Sequence, residues 1–157
     1  MTKSLSSCAL ALMVAICFGC APAERNEAGE INVAGSVDAF TIQVGDCYDD
    51  RFSLSDGVSD VPGVPCSEQH DNEVFATFDL ASGDWPGDDA VTEAADEGCL
   101  ERFQGYVGAT YEESVLMITT LTPSEGSWNQ IGDHEVVCVT YHMELEKLTG
   151  SVRNTGM

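Results

Sequence analysis

His70, Asp71 and Glu73 fall within one short stretch of the chain. An imidazole beside two carboxylates is the grouping that general acid–base hydrolysis or a bound metal would use. His134, Glu135 and His142 are the other groups such chemistry could recruit. The three histidines have no metal-ligand spacing, however, and a structural role for His70 is the simpler reading: its ring hydrogen-bonds the loop after Cys66 and shapes the turn into the following strand. His134-Glu135-Val136-Val137-Cys138 comes close to a zinc-protease helix, but its fifth position is Cys and the run is β-branched, so it reads as a strand. No Gly-x-Ser-x-Gly elbow, phosphate loop or Gly-x-Gly-x-x-Gly occurs. Asp84, Asp88 and Asp89 flank a glycine-containing turn where oxygen ligands could hold calcium, yet they do not follow the EF-hand pattern, and acids at a helix start are explained by the helix dipole. The expectation is therefore no catalytic residue, no metal and no cofactor, with an exported hydrolase or metal-dependent enzyme using the His70 region as the alternative.

The cysteines indicate where the protein works. Lys3 precedes an apolar run from Cys8 to Phe18, the length of a secretory core segment and too short for the roughly 20 residues of a membrane span. Cys17-Phe18-Gly19-Cys20 then resembles a lipobox, with a small residue before the cysteine that is acylated, although Cys17 stands where Leu is usual. The expected organisation is a signal peptide over 1–19, a lipidated Cys20 with a flexible acidic tether over 20–38, and a domain over 39–157. The alternative is cleavage after Ala21-Pro22-Ala23 and release as a secreted protein. Of the seven cysteines, Cys47, Cys66, Cys99 and Cys138 remain in the mature domain. In an oxidising compartment they make two disulfides with three possible connectivities. Such oxidation would also consume Cys47 as a thiol nucleophile for His70.

The charge balance narrows the partners. Six Lys and Arg stand against 27 Asp and Glu, a formal charge of -21. This excludes binding through a nucleic-acid backbone, which depends on basic side chains, and disfavours docking flat on anionic lipid. With 43% hydrophobic residues the 157-residue chain can still bury the core of one domain.

Elements that could position these groups follow from periodicity. Ala21 to Asp38 has no apolar period and reads as a coil, spanning roughly 25 Å. Phe40, Ile42 and Val44 alternate as a strand, Ser53 to Pro65 reads as a loop, and Val74, Ala76, Phe78 and Leu80 alternate as a second strand. Val91, Ala95, Cys99, Phe103 and Val107 recur every four residues and predict a helix from Asp88 to a stop at Gly108. Val115–Leu121 and Val136–Tyr141 are further strands, separated by a loop carrying Trp128. The order predicts an α+β fold, one main helix on a small antiparallel sheet. Cys99 lies on the helix's apolar face and Cys138 in a strand that the helix should cover, so the expected pairs are Cys47–Cys66 and Cys99–Cys138.

Taken in order, Gly45-Asp46-Cys47-Tyr48, Val64-Pro65-Cys66, His70, Glu73-Val74-Phe75-Ala76, Trp85-Pro86-Gly87, Cys99, Phe103 and Tyr106-Val107-Gly108 resemble the septum formation domain family of bacterial envelope proteins. Pro123, Trp128, Gly132-Asp133, Val137-Cys138 and Leu148-Thr149-Gly150-Ser151 with Arg153 extend the resemblance, which departs at His134, where the pattern has Arg. The resemblance implies an extracytoplasmic, membrane-anchored protein with a binding or structural role rather than a reaction. The partners expected are an envelope or division protein, or the cell wall, with membrane attachment through lipid alone. Loops on a disulfide-stapled scaffold are usual recognition sites, and Trp is enriched in binding hot spots. The candidate surface is His70, Trp128, Asp133 and His134, with Trp128 filling the open end of the core as the alternative.

Overall fold

The computed structural model describes residues 21–50 and 58–157. The signal segment, Cys20 and part of the Ser53–Pro65 loop lie outside the described residues. The strands are β1 (Glu24–Arg25), β2 (Ile31–Val33), β3 (Gly35–Asp38), β4 (Cys47–Tyr48), β5 (Asp60–Val64), β6 (Gln69–His70), β7 (Asn72–Asp79), β8 (Leu116–Leu121), β9 (Glu135–His142) and β10 (Leu148–Thr149). The helices are α1 (Asp88–Val107) and α2 (Glu125–Ile131). The main sheet runs in the order β3-β5-β4-β7-β9-β8 with every ladder antiparallel, and β1–β2 and β6–β10 form two further antiparallel pairs. This is the expected α+β fold, with one main helix packed on a sheet and both expected disulfides in place. Among the described residues, no helix is long and apolar enough to cross a membrane.

Alternation along the central strands makes two cores. Val136 and Cys138 turn to one face of β9, Val137 and Val139 to the other. The first face packs against Ala95, Cys99, Phe103, Tyr106 and Val107 of α1. Each fully buried Val or Phe contributes about 1.5–3 kcal/mol. The second face gathers Ile31, Val37, Ile42, Tyr48, Val61 and Val74. β7 carries a bulge between Val74 and Ala76, which inserts Phe75 as the extra residue and turns its ring onto Phe103, edge to face, at 5.6 Å. Helix α1 begins with Asp88 and Asp89 in its first turn and stops at Gly108. Gly108 has φ 90°, a left-handed conformation that costs glycine little. The helix's last carbonyls are taken up by the C-terminal segment: Asn154 N–H donates to Tyr106 O and Gly156 N–H to Val107 O.

Four expectations are corrected. The tether over 21–38 is instead β1, β2 and β3: Ser36 N–H donates to Ala21 O, Ala23 N–H to Ser36 O, and Val37 and Ile31 enter the second core. Long-range pairing, which leaves no period in the sequence, orders this segment. The strand expected over Phe40–Val44 is a turn of 3-10 helix at Ala39–Thr41, because the Asp38 carboxylate accepts the Phe40 N–H and coils the chain. Of the three apolar residues only Ile42 is buried, while Phe40 and Val44 are exposed. The described part of the Ser53–Pro65 loop contains β5, which holds Pro62 and Gly63 between β3 and β4. The loop carrying Trp128 contains α2, started by a reciprocal Ser124–Ser127 capping box.

Candidate functional site

Glu73 lies on β7, facing α1, and is fully buried. An ionised carboxylate there requires donors, and three are supplied from two distant parts of the chain. Tyr106 Oη on α1 donates at 2.6 Å, Ser151 Oγ at 2.5 Å and Val152 N–H at 2.7 Å. Burial, together with the hydrogen bond to Glu73, raises the Tyr106 phenol from its ordinary 10.0 to about 12. The Arg153 guanidinium lies 4.4 Å over the Tyr106 ring centroid. Glu73 therefore ties β7, α1 and the C-terminal segment together at one point.

His70 is also fully buried. Its Nδ1 sits 2.9 Å from the Glu68 carbonyl oxygen, which can only accept, so Nδ1 carries a proton and donates. Nε2 has no hydrogen-bond partner. The backbone of His70 pairs with Leu148 and that of Gln69 with Thr149, and Gly150 N–H donates to Cys66 O. A structural His70 that shapes the turn after Cys66 agrees with this geometry.

Beside these groups opens a groove of about 680 Å³, walled by the β1–β2 connection, the Gln43–Asp46 turn, the Pro65–Glu68 segment, Tyr106, Ser151 and Arg153. The half-buried Cys66 of the Cys47–Cys66 disulfide lies in its wall. Gly45 turns the chain here at φ 96°, and a side chain on it would approach both Arg153 and Tyr106. The buried Asp46 carboxylate is held by Arg25 through two bonds of 2.5 and 2.6 Å and accepts the Gln43 N–H. Lys147 is bound by Asp49 and Asp71, and Arg102 faces Glu101. Among the described residues, Arg153 is the one Lys or Arg without a carboxylate partner, and it stands exposed at the groove.

The expected surface does not form as a surface. His70 is enclosed, and Trp128 is 4% exposed: its indole N–H donates to Gly83 O, and its ring meets Trp85 edge-on at 5.4 Å and His134 at 4.2 Å. The reading in which Trp128 fills the open end of the core is the one observed, because α2 lays the ring inward. Asp133 and His134 are half-buried, with Asp133 accepting the Glu135 N–H. Asp84, Asp88 and Asp89 are exposed and form no ligand cluster among the described residues. Sequence reasoning missed Arg25–Asp46 and the unpaired Arg153. The signals available were the place of Asp46 and Arg153 in the family resemblance and the shortage of basic residues, since a cation in so acidic a chain invites the question of its partner.

The septum formation profile matches residues 20–138. The chain belongs to the septum formation family. Membership in this family and the two disulfides are consistent with a septum-related, extracytoplasmic envelope protein. Neither the curated proteins nor the solved structures yield a match to the chain. The matched span opens at residue 20 and closes at Cys138, so it takes in β1 to β8 and the first half of β9.

Proposed function

We propose that the protein is a non-enzymatic exported lipoprotein, anchored by acyl chains on Cys20, whose domain binds an envelope partner, a division protein or the cell wall. The observation that carries the binding reading is Arg153. An exposed guanidinium, seated on the Tyr106 ring and lacking a carboxylate of its own, is set to take a carboxylate from a partner lying in the groove. The burial of His70 and Glu73 supports binding over hydrolysis, since neither side chain meets solvent where a substrate would arrive.

Two features support anchoring at Cys20 over release after Ala23. Residues 21–23 pair with Ser36, and a Cβ on Gly35 would overlap their backbone, so cleavage after Ala23 would discard chain that the fold uses. With Ala21 held against β3, no long tether separates the lipid from the domain, which then sits directly at the membrane. Acyl chains contribute about 0.8 kcal/mol per buried methylene, enough with several chains to retain an acidic domain there. Intact-mass analysis tests the anchor: a product beginning at an acylated Cys20 supports it, and a soluble product beginning at Glu24 contradicts it. Replacing the exposed Arg153 with Ala tests the binding: capture of the partner from envelopes is lost while the melting temperature falls by no more than the few degrees that the contact with the Tyr106 ring accounts for.

A further inference from the structure

Cys47, His70 and Glu73 come from three strands, yet one ligand atom of each lies within 4.8 Å of the others. All three side chains are fully buried. In the oxidised protein Cys47 is committed to Cys66, and a disulfide sulfur is a poor metal ligand. In that state Glu73 and His70 Nδ1 serve the fold, and His70 Nε2 is left over. His70 Nε2 is a polar atom in the interior with no hydrogen-bond partner, a cost that native interiors rarely carry without reason.

We propose that reduction of the Cys47–Cys66 disulfide turns this cluster into a closed zinc site, with the Cys47 and Cys66 thiolates, His70 Nε2 and the Glu73 carboxylate as its four ligands. The outer contacts already match such a centre. Metal-bound histidines donate their other ring N–H to a carbonyl or carboxylate, as His70 Nδ1 does to Glu68 O, and metal-bound carboxylates are themselves fixed by hydrogen bonds, as Glu73 is by Tyr106, Ser151 and Val152. Two thiolates, an imidazole and a carboxylate form a tetrahedral set suited to zinc, and with all four positions filled by protein the site is structural.

The reductant is a dithiol, in solution or on an envelope protein. One of its thiolates attacks Sγ of Cys66, the half-buried residue in the groove wall, and the bonding pair of the broken S–S bond passes to Cys47 Sγ. The second thiolate of the reductant then attacks the mixed disulfide and releases the Cys66 thiolate. The dithiol leaves as a disulfide, having given two electrons, and its two thiol protons pass to water as zinc takes both protein thiolates. Seating zinc requires the two sulfurs to part to about 3.8 Å. Cys66 can supply that movement because it sits on the half-exposed Pro65–Glu68 segment, whereas Cys47 is locked in the sheet. Cys99 and Cys138 are both fully buried between α1 and the sheet and are shielded from the same reductant.

This inference is independent of the binding function proposed above. Its test uses the full purified protein, a dithiol removed by anaerobic gel filtration, and cobalt(II) as the spectroscopic probe. The expected result is a thiolate-to-cobalt charge-transfer band in the reduced protein and none in the oxidised protein, with zinc displacing the cobalt. His70→Asn keeps a side-chain donor for Glu68 O but removes Nε2. It is expected to weaken cobalt binding by about tenfold or more, the loss that follows even removal of an outer-shell partner. A reduced wild-type protein with no charge-transfer band overturns the proposal, as does a reduced His70→Asn variant that binds cobalt as tightly as wild type.

Discussion

Tyr106 Oη donates a 2.6 Å hydrogen bond to the fully buried carboxylate of Glu73, joining the last turn of α1 to the start of β7 across 33 residues of sequence. The same carboxylate holds Ser151 and Val152, so one side chain positions the helix that supports Arg153 and the segment that carries it.

Glu73→Gln keeps the side-chain volume but presents an amide N–H₂ where three donors converge. We expect a loss of about 2–3 kcal/mol, since hydrogen bonds to a buried charged group are the stronger kind. Tyr106→Phe should cost about 1.5–3 kcal/mol, and the double variant less than the sum because the two act as one unit. Urea unfolding of the four proteins measures the coupling.

Stability at high pH should fall for a reason traceable to the same pair. The Tyr106 phenol is raised from 10.0 to about 12 in the folded protein, so between those values the native state holds a proton that the unfolded chain has released. The contribution is whole below pH 10 and is lost as pH rises toward 12. Burial raises Tyr48 in the same direction. Melting temperature followed across this range should drop less steeply for Tyr106→Phe than for wild type.

The two disulfides should differ in their effect. Cys99–Cys138 closes a separation of 39 residues and Cys47–Cys66 one of 19. The chain-entropy relation gives about 4 and about 3 kcal/mol respectively. Replacing each pair with Ala and unfolding in guanidinium should therefore show the α1–β9 bond to be the more stabilising.

Trp128→Ala should lower stability by about 3–5 kcal/mol, the cost of emptying a buried aromatic site. Thermal melting reads this directly. Partner capture should fall only as far as folded protein is lost, because Trp128 packs against Trp85 and His134 in place of a ligand.

The sequence made some of this legible. α1 was visible because Val91, Ala95, Cys99, Phe103 and Val107 repeat at the helical period, and β7, β8 and β9 because their runs alternate or are β-branched. The cysteine pairing followed from placing Cys99 and Cys138 on facing elements. β5 was hidden because Pro62 and Gly63 are breakers by local rules, yet neighbours on both sides hold them in the sheet. α2 was hidden because its helical run is short and is flanked by Pro123, with Gly126 inside it. The groove could not be read in advance, because residues from the N-terminal strands, the Gln43–Asp46 turn, the first disulfide and the C-terminal segment meet only on folding. The structural reading of His70 and the core-filling alternative for Trp128 agree with the fold, whereas the recognition surface drawn through both does not, because burial turns the two rings inward.

The claim that the groove at Arg153 holds the partner is tested most directly by site-specific photo-cross-linking in intact cells. A photoreactive residue at Ser67, exposed in the groove wall, is compared with one at Gln130, exposed on α2. The expected result is a discrete adduct from position 67 that is absent from position 130 and lost when Arg153 is replaced by Ala. Adducts of equal yield from both positions, or an adduct at position 67 that survives Arg153→Ala, would contradict the account.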